Sequence, residues 1–225
     1  TIYLSSAASD VYKRQGDAAF AQIQQLASSV GTEADLGRAL ISVMEEYGGH
    51  RAGWEPIVAV GANASLPHHR AGESAIGDGL LLLDYGCVVD GYHSDMSRTV
   101  WLGGEPSEEA SRMYKAVLES QEAGIAAVRP GATGREVDEA CRAVLRSQGL
   151  EEYFIHSTGH GVGLDIHEMP RLSRVSDDVL APGDVVTVEP GVYVPGSGGV
   201  RIEDMVLVTE TGGEVLTTSP KGLVP

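Results

Sequence analysis

One helix pattern occurs twice in this sequence, and its two copies lie 101 positions apart. The first copy begins at Thr32 and ends near Gly48, and the second begins at Thr133 and ends near Gly149. In each copy an acid stands three residues after the threonine, which is typical of a capping box at a helix start. Apolar residues then recur at helical spacing. An internal repeat of this kind indicates a fold built from two related halves.

A shared order of elements supports the repeat. Another amphipathic helix precedes each copy, over residues 17–30 and 107–128, and β-rich segments follow each copy. In both halves a loop that bears histidines leads to hairpins that bear acids. We therefore predict an α+β fold whose two similar halves face each other across one central site. The first copy should bury a stripe that consists of Leu36, Leu40, Val43, Met44 and Tyr47.

Composition restricts the partners of the chain. Its 225 residues include 32 acids and 16 basic residues, which gives a formal charge of −16. Nucleic acid is not expected as a partner, because neutralising phosphates needs a basic face. A membrane partner is not expected either, since no apolar run reaches the length of a bilayer-spanning helix. Cys87 and Cys141 lie in apolar contexts, and we predict that both are reduced, buried thiols.

The first residues differ in character from the rest. The segment TIYLSSAASDVYKRQ has neither the basic leader nor the apolar core of a signal peptide. It is similar to the translated linkers found fused to metagenomic reading frames. We therefore predict a non-native segment over residues 1–15, a single domain over residues 16–225, and a cytoplasmic location.

Two acids belong to a hairpin in the first half, LLLLDYGCVVDGYHSDMSRTVWL. If Asp90 and Gly91 form the two-residue turn, Asp84 lies opposite Ser97 and diagonally across from Asp95. If the turn is one residue earlier, the two acids are directly opposite. Either register places both carboxylates on one face, roughly 5–8 Å apart. The alternative for Asp84, which follows four leucines, is a carboxylate satisfied by backbone amides or by Arg98.

The second half supplies two more acids and a group of histidines. Glu189 closes the apolar run VVTV, and Glu203 lies in the buried-looking strand VRIEDMVLV. Four acids in core-like strands would repel strongly, and a pair of divalent cations resolves that conflict. The loop HSTGHGVGLDIHEMP provides nitrogen ligands, and its glycines do not have the spacing of a dinucleotide-binding loop. The zinc motif HExxH is absent from the sequence.

These strings, together with TVEPGVYV and GVRIEDMVLVT, resemble the pita-bread metallopeptidases. Within that family the sequence is most similar to Xaa-Pro dipeptidases (prolidases) and aminopeptidases P. The resemblance implies the creatinase/aminopeptidase fold, with two pseudo-symmetric αβ halves around a central curved antiparallel sheet. It also implies five metal ligands, with Asp95 and Glu203 bridging two ions: Asp84, Asp95, His160, Glu189 and Glu203. Asp84 would then bind one ion, while His160 and Glu189 complete the other.

The resemblance further assigns polar residues around the metals. His68, His156 and His167 would face the substrate, with His167 stabilising the oxyanion and His156 or His68 aiding the leaving nitrogen. Arg201 would orient a ligating carboxylate. A water between the two ions would be activated as a bridging hydroxide, with Glu189 as its proton shuttle. The remaining histidines are predicted to be surface or structural groups: His50, His69 and His93.

Some choices stay open at the level of sequence. The ligand set favours Mn²⁺ or Co²⁺, with Fe²⁺ and Zn²⁺ as alternatives. The expected partner is a peptide with an N-terminal Xaa-Pro bond, cleaved as a dipeptide or from a longer chain, and a homodimer is open. The alternatives are a methionine aminopeptidase-like enzyme or another amide hydrolase, a metal-free creatinase-like hydrolase, and a non-catalytic peptide-binding module. Proline-directed members usually carry an upstream domain, and we predict that this sequence lacks it.

Overall fold

The computed structural model describes residues 14–224. Most of the predicted linker-like segment, residues 1–13, therefore lies outside the described residues. Its last two residues are part of a helical segment over residues 14–21, in which Gln15 is buried. Among residues 14–224, no helix combines the length and the apolar character needed to cross a bilayer.

The first half consists of two helices packed on a three-stranded antiparallel sheet. Helix α1 covers Ile23–Ser29 and helix α2 covers Glu33–Glu46. The sheet has the order β2-β3-β6, with β2 at Ile57–Val60, β3 at Gly79–Tyr85 and β6 at Met96–Leu102. Thr32 caps α2, because its hydroxyl accepts from the amide of Asp35 at 3.1 Å. The predicted stripe of α2 is confirmed except at Tyr47, which is 53% exposed because the helix ends at Glu46.

The second half has the same plan. Helix α3 covers Glu108–Ala127 and helix α4 covers Gly134–Ser147, with a complete capping box at Thr133. Its five-stranded sheet has the order β13-β12-β9-β7-β8. These strands are β7 at Gly159–Gly161, β8 at Glu168–Leu172, β9 at Val185–Val188, β12 at Asp204–Val208 and β13 at Gly213–Val215.

Short strands complete the two halves. Strands β1 (Arg51–Ala52), β4 (Cys87–Val89) and β5 (Tyr92–His93) form a small sheet. Strands β10 (Gly191–Val194) and β11 (Gly198–Arg201) form a hairpin. Each half has its own apolar core, and both cysteines are free and buried as predicted.

The hairpin of the first half follows the first of the two predicted registers. Asp90 and Gly91 both have positive φ, 50° and 88°, as a type I′ turn requires. Asp84 consequently lies opposite Ser97. The competing register, with its turn one residue earlier, is wrong.

The repeat is visible in the structure. The two capping threonines each form an isolated bridge to a later loop, Thr32 with Ala75 and Thr133 with Val179. The halves meet where the amide of Glu203 donates to the carbonyl of Ser97 at 3.1 Å. The predicted α+β fold with two related halves is confirmed.

Candidate metal centre

The four acids occupy equivalent ends of strands in the two halves. Asp84 is the next-to-last residue of β3, and Glu189 directly follows β9. Asp95 directly precedes β6, and Glu203 directly precedes β12. Because the halves face each other, both pairs of carboxylates point into the same space between them.

That space is a cavity of about 530 Å³. Every site residue predicted from the sequence lines it, so the structure brings the whole predicted set together: His68, Asp84, Asp95, His156, His160, His167, Glu189, Arg201 and Glu203. His50, His69 and His93, which were predicted to be structural, do not belong to the lining.

Three of the predicted ligands form a compact group. One ligand atom from each of Asp95, His160 and Glu203 lies within 4.8 Å of the other two. Nε2 of His160 is 3.6 Å from Oδ2 of Asp95 and 3.4 Å from Oε1 of Glu189. These separations suit donor atoms that surround a common divalent cation, since each donor would then lie about 2.0–2.6 Å from the ion.

The acids repel one another in a buried setting. Burial, followed by the charges of Glu203, Asp84 and Glu189, raises the pKa of Asp95 well above its usual value. Burial and the charges of Glu189 and Asp84 do the same to the pKa of Glu203. Burial also raises the pKa of Glu189 to about 8. Cations at this point would relieve the repulsion and hold the carboxylates ionised.

His160 is prepared to act as a ligand. Burial lowers its pKa to about 4, so the ring is neutral near pH 7, as metal coordination requires. Nδ1 donates to the carbonyl of Gly161 at 3.0 Å, because a carbonyl can only accept. The proton is thereby fixed on Nδ1, and Nε2 keeps its lone pair toward the acids.

Arg201 fixes the orientation of two carboxylates, that of Asp84 directly and that of Glu203 through Ser97. Its Nη2 donates to Oδ2 of Asp84 at 2.5 Å. Its Nε donates to the hydroxyl of Ser97 at 2.8 Å, and that hydroxyl donates to Oε2 of Glu203 at 2.7 Å. The other oxygen of Asp84, Oδ1, is buried and has no hydrogen-bond partner in residues 14–224. The donor set thus fits divalent cations, which would satisfy this oxygen.

Arg98 does not neutralise Asp84, so that alternative from the sequence is wrong. Its Nη2 donates to Asp204 at 2.7 Å, on the side of the strand that faces away from the cavity. Its Nη1 donates to the carbonyls of Ser97 and Glu203, at 2.9 and 2.5 Å. Arg98 therefore joins the two strands that carry these residues, and its ion pair is with Asp204 and not with a cavity acid.

Tyr193 is a site residue that the sequence did not reveal. Its hydroxyl accepts from Nη1 of Arg201 at 2.7 Å. Nδ1 of His156 donates to the carbonyl of Ser157 at 2.8 Å, so the neutral ring accepts the Tyr193 proton at Nε2, also at 2.8 Å. Burial lowers the pKa of His156 to about 3, which keeps the ring neutral. The sequence did contain one signal of this close packing, which is Gly191. A Cβ at that position would lie 2.3 Å from the Tyr193 hydroxyl, so only glycine fits there.

Other residues give the cavity an apolar wall and a charged rim. Trp54, Ile57 and Ile166 also line it, beside the imidazoles. The ring of His167 packs edge-on against His160, with centroids 4.4 Å apart. Arg171, an exposed residue, adds a cation to the lining. The space can therefore hold a ligand with both an apolar side chain and a negative group.

The fold and the cavity define a two-halved α+β protein with an internal acidic cavity whose donor atoms suit divalent cations. The chain belongs to metallopeptidase family M24, whose sequence profile matches residues 11–210. Family membership implies divalent metal ions. A Xaa-Pro dipeptidase of Pyrococcus furiosus is 40% identical to this chain over 193 residues, which are 85% of the chain and 55% of that relative.

Solved structures agree with the family. A Xaa-Pro dipeptidase from Bacillus anthracis matches with a TM-score of 0.88 and 44% identity over 93% of this chain and 60% of that protein. An X-Pro aminopeptidase from Thermotoga maritima matches with a TM-score of 0.89 and 33% identity over 97% of this chain and 63% of that protein. The predicted pita-bread fold is confirmed by these neighbours. The chain spans little more than half the length of the relatives that it matches.

Proposed function

We propose that this chain is the catalytic part of a peptidase that hydrolyses an N-terminal Xaa-Pro bond with the help of two divalent cations. The observation that carries the proposal is the convergence of acids from both halves, with one neutral histidine, on a single cavity. The names of the similar proteins, dipeptidase and aminopeptidase, support proline as the second residue of the substrate.

Five side chains would hold the cations. Asp95 and Glu203, one from each half, would be shared by the two ions, and Asp84 would bind one of them. His160 and Glu189, whose nearest atoms are 3.4 Å apart, are assigned to the other. Oxygen donors with a single imidazole favour Mn²⁺ or Co²⁺ over softer metals, with Fe²⁺ and Zn²⁺ as alternatives.

Bound cations would supply two effects, a lowered pKa of a water held between them and polarisation of the scissile carbonyl. The protein supplies the proton transfer. Glu189 would take the proton of the attacking water and pass it to the departing proline nitrogen. Arg201 keeps Asp84 oriented throughout and itself stays ionised.

The histidines would bind the peptide. His167 lies beside His160 and would donate to the carbonyl oxygen as negative charge develops there. His156 would face the substrate with its ring held in place by Tyr193, whose hydroxyl donates to Nε2 at 2.8 Å. His68 would contact the substrate from the first half. The apolar wall of Trp54, Ile57 and Ile166 would take up the side chain of the N-terminal residue.

A panel of three peptides tests the activity: Ala-Pro, a longer peptide that begins Ala-Pro, and Met-Ala-Ser. The chain is stripped with chelator and reloaded with Mn²⁺ or Co²⁺ before each assay. Cleavage of Ala-Pro alone identifies a dipeptidase, and cleavage of the longer peptide identifies an aminopeptidase P. Cleavage of Met-Ala-Ser alone would refute proline specificity in favour of methionine removal.

A substitution tests the metal centre separately from the substrate. Glu203→Ala should remove a bridging ligand, so bound metal measured by mass spectrometry and peptidase activity should both fall at least about tenfold. Glu119→Ala, on the exposed side of α3, is the matched control and should leave both unchanged. Full activity and full metal content in Glu203→Ala would overturn the two-cation site.

A further inference from the structure

One fully buried carboxylate lies outside the metal centre. Glu33, in the first turn of α2, is 0% exposed. Its Oε1 accepts from the amide of Val60 and from Nδ2 of Asn63, both at 2.9 Å. Its Oε2 accepts from Nε2 of His69 at 2.8 Å and from the amide of Gly72 at 3.3 Å. Four donors therefore converge on one carboxylate that has no contact with water.

These donors bracket a single loop, residues 60–72, which connects β2 to the segment before β3. Near the middle of the loop lies His68, which lines the cavity. Its two neighbours in the chain are both held: the ring of His69 by Glu33, and the carbonyl of Pro67 by Nη1 of Arg201 at 3.2 Å. His68 therefore lies between two fixed neighbours: His69, which is bound to helix α2, and Pro67, which is bound to Arg201 in the metal centre.

The anchor on α2 is a carboxylate that accepts hydrogen bonds from side chains and from the backbone. Burial alone would raise the pKa of Glu33, but the hydrogen bonds from Asn63, His69, Val60 and Gly72 outweigh it and lower the pKa. The amides of Glu33 and Ala34 also donate, to the carbonyls of Ser74 and Gly72, both at 3.0 Å. The start of α2 therefore binds the end of the loop at Gly72 as well as its middle.

We propose that Glu33 is a positioning residue for the peptide substrate, which acts by holding loop 60–72 so that His68 stays in the cavity. The inference rests on the proposed function, because it takes His68 as a substrate contact. Without the carboxylate, four donors at separate points of the loop would lose their common partner. The loop would then sample many positions, and the peptide would have to order it on binding.

A double-mutant cycle tests this action through His68. In the metal-loaded chain, Glu33→Gln keeps the size of the side chain but places an amide N–H against existing donors. We expect the KM for Ala-Pro to rise about tenfold, with kcat changed by less than about threefold. In a His68→Ala background the same substitution should change KM by less than about twofold, because the affected contact is already missing.

A matched control separates positioning from general destabilisation. Val117→Ala truncates a buried side chain on α3 that does not line the cavity, and it should lower the melting temperature without raising KM. Equal KM increases in Val117→Ala and Glu33→Gln, or fully additive effects of Glu33→Gln and His68→Ala, would overturn the proposal.

Hydrogen exchange gives a readout that needs no activity. Glu33→Gln should accelerate amide exchange in peptides covering residues 61–72 at least about tenfold and leave residues 204–208 at the wild-type rate. If the wild-type chain cleaved no proline peptide, the proposed function would fail, and faster exchange would still support the anchor. If exchange and KM in Glu33→Gln both matched the wild type, the positioning role would fail while the proposed function stood.

Discussion

Removing divalent cations from this protein should make its stability fall as the pH rises from about 6.5 to about 8, the range bounded by the ordinary histidine pKa and that of buried Glu189. Burial raises the pKa of Glu189 from 4.5 to about 8, so the folded protein retains a proton that the unfolded chain has already released. Since an acid with a raised pKa opposes folding once it must ionise, the contribution of Glu189 to the free energy of unfolding declines from about pH 4.5 upward and levels off above about pH 8.

Two histidines make the free energy of unfolding rise with pH, but they do so in a lower pH range. Burial lowers the pKa of His156 to about 3 and that of His160 to about 4. Their neutral rings disfavour folding in acid, and this cost disappears once the pH exceeds their unfolded value of 6.5. Above pH 6.5 the histidines therefore no longer offset the loss of stability that the acids cause. One retained proton over this interval corresponds to about 2 kcal/mol. Asp95 and Glu203, whose pKa values are also raised, act in the same direction.

Urea unfolding of chelator-treated protein, at several pH values and constant ionic strength, measures this decline. Glu189→Gln should reduce the slope, because it removes one of the retained protons. Saturating Mn²⁺ should raise the stability and abolish the decline, since cations take the place of protons at the carboxylates. A free energy of unfolding that stayed constant or increased across this range in the metal-free wild type would refute the assignment of the acids as a mutually repelling, cation-dependent cluster.

Three substitutions test the supports of the site. Tyr193→Phe removes the hydroxyl between Arg201 and His156, and we expect about 2 kcal/mol lower stability in urea unfolding, with the fold retained by circular dichroism. Arg142→Met removes the guanidinium that donates to the carbonyl of His156 at 2.5 Å and leaves a buried aspartate unpaired, which should cost about 3–5 kcal/mol by the same measurement. Gly124→Ala places a Cβ 2.4 Å from Sγ of Cys141, and separating α3 from α4 should lower stability by about 1–3 kcal/mol in thermal denaturation.

The positions of Asp84, Glu189 and Glu203 were predictable because each interrupts or ends an apolar run, and the hairpin register then places Asp95 near Asp84. Asp84 follows a run of leucines, and a buried strand that ends in a carboxylate needs a partner for that charge. The turn residues Asp90 and Gly91 favour positive φ, and that preference fixes which residue faces Asp84. Signals of this kind can be read from a single sequence because they depend only on residues that are close together in the chain.

The residue pattern alone did not predict the links between the acids, because they join residues far apart in the chain. Only the family resemblance implied that Arg201 orients a ligating carboxylate. Ser97 bonds to Glu203 across 106 positions, and Arg201 bonds to Asp84 across 117. Gly191 leaves room for the hydroxyl of Tyr193, but it does not indicate that this hydroxyl lies between Arg201 and His156. In the sequence, Glu33 looks like an ordinary acid in the first turn of a helix. Its four hydrogen-bond donors come from a loop that reaches the carboxylate only in the folded protein.

The two halves are alike at the metal centre and different where the substrate would lie. Each half contributes acids from equivalent strand ends, as the proposed pair of cations shared between the halves would require. The histidine loops are held by unrelated means: Glu33 anchors the loop of His68, whereas the buried pair Asp138–Arg142 holds the backbone around His156. A peptide has a direction, with an amine at one end, so a symmetric site could not distinguish its ends. The repeat would therefore account for the proposed cation binding, and the divergence of the two anchors would allow the site to orient a peptide.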